Sequence, residues 1–150
     1  MKTAMVTGWV LMVMAAGLTA SPVVQATHGV YQTNYKAGLN EIVVSRTPAD
    51  HIPVRAGTQH SWIIQVVPAS YPRSIREVYT LPAPGRWGNV EGEQVSADRK
   101  QCVVEGTIQP GQTYAFNTWG MDADDPVGNY RISIYIDDVL VKTFSFEAVR

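Results

Sequence analysis

Tyr130-Arg131-Ile132-Ser133-Ile134-Tyr135-Ile136-Asp137-Asp138-Val139-Leu140-Val141-Lys142-Thr143-Phe144-Ser145-Phe146 carries the clearest alternation in the chain. Tyr130, Ile132, Ile134 and Ile136 recur at every second position, with Arg131 and Ser133 between them. Successive side chains of a strand point to opposite faces, so this period gathers the apolar set on one side. Asp137-Asp138 breaks the alternation as a two-residue turn, a weaker relative of Asp-Gly. Leu140, Phe144 and Phe146 then alternate with polar residues. The segment reads as a hairpin with one buried face.

Upstream, the same pattern recurs between turn residues, and helical periodicity is almost absent. Residues 42–47 read as a strand ended by Pro48. Residues 60–67 read as a central strand, apolar on both faces and stopped by Pro68. A shorter strand, 77–81, precedes Pro82. Over 102–108, Cys102, Val104 and Ile108 share one face, with Glu105 and Thr107 on the other. After the Pro110-Gly111 turn, 113–119 carries Tyr114 and Phe116 pointing one way. Strands at this spacing, with no repeat and no linker, predict an all-β chain: an immunoglobulin-like β-sandwich of about seven strands.

The N-terminus has a different grammar. Met1-Lys2-Thr3 carries one positive charge, and 9–18 is an apolar run. Val24 and Ala26 then stand at the −3 and −1 positions of a cut after Ala26. That order predicts a signal peptide over 1–26 and a single domain over 27–150. The run is too short for a membrane span, which needs roughly 20 apolar residues. No cysteine adjoins the cut, so lipid anchoring is excluded, and no later run spans a bilayer. The expected location is periplasmic or secreted.

The mature chain of about 124 residues is one domain in size and buries a core without staples. Twelve basic and thirteen acidic residues give a formal charge of −1. The basic residues are scattered, with no stripe for nucleic acid. Cys102 is the single cysteine, so no internal disulfide forms and a core thiol is expected. A monomer is expected over a disulfide-linked dimer.

Catalytic constellations are absent. Ser61 adjoins His60, but neighbours on a strand face opposite ways and cannot pair as nucleophile and base. No paired carboxylates, phosphate-cradling loop or zinc spacing stands out, so the protein is not expected to be an enzyme. Two features carry recognition chemistry. The acidic loop Asp122-Ala123-Asp124-Asp125-Pro126 offers oxygen ligands of the kind Ca²⁺ takes, through Asp122, Asp124 and Asp125, though no downstream Glu completes a motif. Asp and Pro also suit a plain solvated turn. The loop 81–89 holds Arg86 and Trp87 between Pro82, Pro84, Gly85 and Gly88. Its prolines stiffen it, and its glycines are read as allowing tight turning. A rigid Trp beside an Arg suits a sugar ring or a protein partner. It equally suits a tryptophan folded over the open end of a sandwich. Trp119 and Tyr71 are expected to join Arg86 and Trp87 in either arrangement, as is Tyr79.

Ile52-Pro53-Val54-Arg55-Ala56-Gly57-Thr58 entering an apolar strand, Pro110-Gly111-Gln112, Trp119, Val127-Gly128-Asn129-Tyr130-Arg131-Ile132 and the closing hairpin form a recurring set. This set resembles the small secreted bacterial immunoglobulin-like domains catalogued as domain of unknown function 3859. The resemblance covers most of the mature chain and implies the fold and an exported location, with no activity and no site residues. Trp87 departs from it, standing where a small or polar residue is expected. A looser similarity is to a bacterial sandwich-type proteinase inhibitor family. The expected function is a non-catalytic binding or structural module of the cell envelope, recognising a protein or glycan through loops at one end. The alternatives are a proteinase inhibitor and a small secreted enzyme.

Overall fold

The computed structural model describes residues 20–36, 41–88 and 92–150. The charged start and apolar run of the expected leader lie outside the described residues, as does Asn89 of the Trp87 loop. Among the described residues, no helix is long and apolar enough to cross a membrane.

Ten strands are described, and they form two sheets. Sheet A runs β2 (Glu41–Pro48), β1 (Val23–Lys36), β4 (Thr58–Val66), β8 (Tyr114–Met121). Sheet B runs β3 (His51–Pro53), β10 (Val139–Val149), β9 (Gly128–Ile136), β5 (Arg73–Thr80), β7 (Gln101–Ile108), β6 (Glu93–Val95). β3 pairs parallel with β10, and the other pairings are antiparallel. The strands beyond the expected seven are β1, β3 and β6. β3 and β6 are three residues long, too short for a period to register. β1 mixes Gln25, Thr27, His28 and Gly29 among its apolar residues, which hides its alternation.

The sheets close on Trp62, Ile64 and Val66 from sheet A and on Ile132, Ile134, Ile136, Phe144 and Phe146 from sheet B. Each such side chain contributes about 1.5–3 kcal/mol when fully withdrawn from water. The β9–β10 hairpin turns at Asp137 and Asp138 with φ of 49° and 63°, the left-handed pair of a type I′ turn. Aspartate tolerates that conformation better than most residues with a Cβ. The strand after the turn does not alternate as expected. A bulge between Leu140 and Lys142 shifts the register, leaving Leu140 53% exposed while Phe144 and Phe146 turn inward. One extra residue exchanges the two faces of a strand.

β1 also bears on the expected cut. It starts at Val23, and Val23 and Ala26 pair with Val66 and Ile64 and pack against the core. Cleavage after Ala26 therefore falls within a paired strand. Cys102 is free and fully buried, and burial pushes its thiol up to about 12.

Candidate functional site

Glu77 organises one flank of the sandwich. It sits between Ile75 and Tyr79 at the inward positions of β5 and is almost wholly buried. Two donors from the opposite sheet reach it: Asn117 Nδ2 at 2.8 Å and Trp119 Nε1 at 2.6 Å. Asn117 and Trp119 are inward positions of β8, opposite Trp62 and His60 of β4. The carboxylate thus fixes β8 across from β5. Burial pushes Glu77 above the usual carboxyl range, and its hydrogen bonds, those of Asn117 and Trp119 first, oppose that rise.

Above Glu77 the aromatic rings gather. Tyr79 and Trp119 lie 4.8 Å apart, Tyr79 and Trp87 5.7 Å, and Trp87 and Trp119 6.0 Å at 76°. Edge-to-face contacts of this kind are the favoured aromatic arrangement. Trp87 is half-buried, and its indole N–H donates to the Arg99 carbonyl at 2.9 Å. The loop before it is pinned by Gly85 N to Arg99 O and by Arg99 Nε to Gly85 O. Gly85 serves close approach, since a Cβ there would collide with the Leu81 side chain. Gly88 has open space and needs no special conformation. The expectation that both glycines serve tight turning is corrected accordingly.

These rings border a cavity of about 330 Å³ at one end of the sandwich, within the size range of ligand sites. Arg86, Trp87, Glu93, Trp119, Asp122 and Asp125 all line it. Arg86 pairs with Asp124 at 2.9 Å across the rim. Asp125 accepts the Asp122 backbone N–H at 2.8 Å, and burial with its acidic neighbours raises its carboxyl. Among the described residues, no lysine, arginine or histidine pairs with Glu93, Asp122 or Asp125. Glu93 Oε2 is enclosed without a hydrogen-bond partner among them.

Most of the expected binding residues therefore converge, and Tyr71 does not. It is 60% exposed at the far end of β5, in a hollow with Val67 and Leu140. β5 runs between the two places, and eight extended residues separate them by about 25 Å. Asp124 turns to Arg86, and no three acidic, His or Cys side chains among the described residues converge as metal ligands.

Sequence reading missed Glu77, Glu93, Asn117 and Tyr130. The parity Ile75–Glu77–Tyr79 is the one signal that placed a carboxylate inward. It also missed the partners of His60. His60 is fully buried, with Nδ1 2.9 Å from His28 Nε2 and Nε2 3.0 Å from the Tyr79 hydroxyl. Burial, then the neighbouring His28 ring, depresses His60 to about 3, so it is neutral at ordinary pH.

A second cavity, of about 280 Å³, opens farther along the same flank. Its walls include Ile75, Val104, Ile108 and Ala115, and Asn117 borders both cavities.

Residues 29–149 match the family model described as the PM0630 beta sandwich domain. Among solved structures, an immunoglobulin-like protein of Pseudomonas aeruginosa is similar at a TM-score of 0.52 and 16% identity. That match covers 83% of this chain and 92% of the other, and it shows the fold alone. The alkylpurine DNA glycosylase AlkC of Pseudomonas fluorescens, bound to DNA containing an abasic site analog, matches at a TM-score of 0.38 and 8% identity. It covers 83% of this chain and 30% of that one, a likeness too loose to carry an argument. No curated protein matches the sequence.

Proposed function

This chain belongs to the PM0630 beta sandwich domain family, and from that premise we propose that it is an exported, non-catalytic recognition module of the cell envelope. The aromatic cavity at the Trp87 end is its binding site. One observation carries this reading: Arg86, Trp87, Trp119, Asp122 and Asp125, spread over 40 positions of sequence, surround a single cavity. Arginine and tryptophan are the residues that most often dominate interfaces. The loop that presents them is stiffened by Pro82 and Pro84, which lowers the entropy lost on binding.

The ionisable groups support a non-catalytic role. The thiol of Cys102 is pushed up to about 12 and is enclosed, so it is no nucleophile at neutral pH. His60 is too weak a base at about 3 and lies wholly inside. The finer kinship with domain of unknown function 3859 belongs to this proposal too, and the Gly128-Asn129-Tyr130 strand and the closing hairpin support it. Export rests on the leader pattern of 1–26.

The test is capture of partners by the mature protein from an envelope extract, with Trp87→Ala alongside. Trp87 both covers Tyr79 and borders the cavity, so its truncation should cost about 1–2 kcal/mol, less than a fully buried aromatic. It should also remove the captured partner. Capture that survives in a folded Trp87→Ala protein rejects the cavity as the site. Protein in the envelope fraction that still carries Met1 and the apolar run rejects cleavage of the leader.

A further inference from the structure

The two sheets differ in width. Among the described residues sheet A has four strands and sheet B six, and Glu77 holds β8 over β5. Sheet B therefore continues past β8 by two strands, β7 and β6. Val95, on the inward side of β6, is left 38% exposed. β8 is itself the edge of sheet A, eight residues long, paired to β4 without a register break. Its sequence Tyr-Ala-Phe-Asn-Thr-Trp-Gly-Met holds no charge and no proline. Edge strands ordinarily carry Lys, Pro or a bulge that prevents pairing with another chain, and β8 has none of these. Side chains cap two of its backbone groups: Gln112 Nε2 bonds Tyr114 O, and Asn117 Oδ1 takes Thr118 N–H. Beyond β7's pairing with β6 at 102–104, no strand covers its 105–108 edge among the described residues.

The two cavities lie on the inner side of this edge, one along Ala115 and Asn117, the other along Asn117, Trp119 and Met121. A strand added beside β8 points alternate side chains into the same inter-sheet space, about 6.8 Å apart. We propose that β8 binds an extended segment of a partner protein by strand addition, with a Lys or Arg side chain of that segment entering the cavity of Trp87, Trp119, Glu93, Asp122 and Asp125, and an apolar one entering the second cavity. In this mode main-chain hydrogen bonds supply affinity and alternate pockets supply specificity. The choice of a cation follows from charge. Three carboxyls line the first cavity without a cationic partner among the described residues, while its one arginine is held by Asp124. Trp87 and Trp119 add ring faces that attract a cation. A neutral sugar fits less well, because it carries no charge to answer Glu93, Asp122 and Asp125. The second cavity is lined by Ile75, Val104, Ile108 and Ala115 beside polar Glu105, Thr107 and Gln112, and its apolar part suits an apolar side chain.

The inference rests on the cavity reading above and names its ligand. The probes are hexapeptides of alternating Thr and Val with one central Lys, the same peptide with norleucine for Lys, and the Lys peptide N-methylated at alternate residues. Titration is followed by tryptophan fluorescence and by amide shifts of the labelled mature protein. The Lys peptide should bind and move the β8 amides. Norleucine should weaken it about tenfold, and added salt should do so progressively. Asp125→Asn and Glu93→Gln, both at the cavity surface, should weaken the Lys peptide and leave the norleucine peptide unchanged. N-methylation should abolish binding. Equal binding of the norleucine peptide overturns the cation, and equal binding of the N-methylated peptide overturns strand addition. Neutral oligosaccharides that shift Trp87 while every peptide fails overturn this inference and leave the cavity reading standing. A dimer that pairs through β8 in sedimentation and amide-exchange measurements also overturns it.

Discussion

Along one flank of the sandwich, where β1 meets β10, the polar groups between the sheets are aromatic and enclosed. His28 stacks on Phe146 at 4.8 Å, and Phe146 in turn lies 4.9 Å from His60 and 5.1 Å from Tyr130. Along the other flank, where β8 faces β5, the polar group is a carboxylate. It holds the sheets together through Asn117 and Trp119 and leaves two cavities beside it. The difference follows from what lies beyond each strand. β1 and β10 have further strands outside them, so rings close the gap. Among the described residues β8 has nothing outside it, while sheet B runs on, so the gap stays open and polar side chains can be hydrated there. The first flank is filled between the sheets by aromatic rings and keeps only an open hollow outside them, along Thr27, Asp50 and Thr143, whereas the second holds its cavities between the sheets.

Four measurements test that contrast. The largest effect is expected from Phe146→Ala, which removes the ring shared by His28, His60, Tyr79 and Tyr130. It should cost about 3–5 kcal/mol in chemical denaturation, as buried aromatic truncations do. A cost below 1 kcal/mol would mean that the closed flank is not the stabilising one.

Acid should act next, through His60. Its pKa is about 3 in the folded protein, against 6.5 for an ordinary histidine. The unfolded chain therefore binds the extra proton in this interval. The stability that neutral His60 contributes is complete above pH 6.5 and is lost as pH falls toward 3. From pH 6.5 to 4.5 the loss amounts to about 2–3 kcal/mol. Glu77 works the other way. Its folded pKa is raised, so it adds stability below that pKa and loses it as pH rises through the interval above 4.5. Denaturation curves at pH 7, 5.5 and 4.5 should show the net fall. A His60→Gln protein with the same pH slope would remove His60 as its cause.

Glu77→Gln tests the open flank directly. Glutamine offers one oxygen where two donors arrive. Asn117 cannot turn to accept from the new amide without giving up Thr118 N, because its Oδ1 already takes that group. One hydrogen bond is lost inside the protein, so the variant should be less stable at pH 7 by about 1–3 kcal/mol. It should also lose stability more steeply on acidification, because the opposing carboxyl is gone. An unchanged slope would place the titration of Glu77 outside this interval.

The smallest effect concerns the start of β1. A chain of residues 27–150 lacks Val23 and Ala26 and their pairing with Val66 and Ile64. It should be less stable than residues 21–150 by about 1–2 kcal/mol. Equal melting of the two would show that the segment before the expected cut adds nothing to the domain.

Much of the fold was legible because a strand half-buried in a sandwich must alternate. The β9–β10 hairpin, β7 and β8 are visible in the period of Ile132, Ile134 and Ile136, of Cys102 and Val104, and of Tyr114 and Phe116. The bulge after Leu140 was not, since no residue there marks it and its cause is the pairing with Ile134 and Ser133 across the hairpin. β1 stayed hidden for a related reason. His28 occupies an inward position that a period-two reading expects to be aliphatic, and its acceptance there depends on His60 and Phe146 from other strands.

The class of fold, the lone thiol at Cys102, the leader-like N-terminus and the residue types of the Trp87 loop and the acidic loop are all written along the chain. These depend on local chemistry and on side-chain period, which neighbours along the chain suffice to define. Packing of the two sheets brings Arg86, Trp87, Trp119, Asp122 and Asp125 to one cavity, puts Tyr71 at the opposite end and sets Asp124 against Arg86. It also places Glu77 between the sheets. Each of these depends on which strands become neighbours and how wide each sheet grows, which is fixed by the competition of all pairings at once and is written in no single segment.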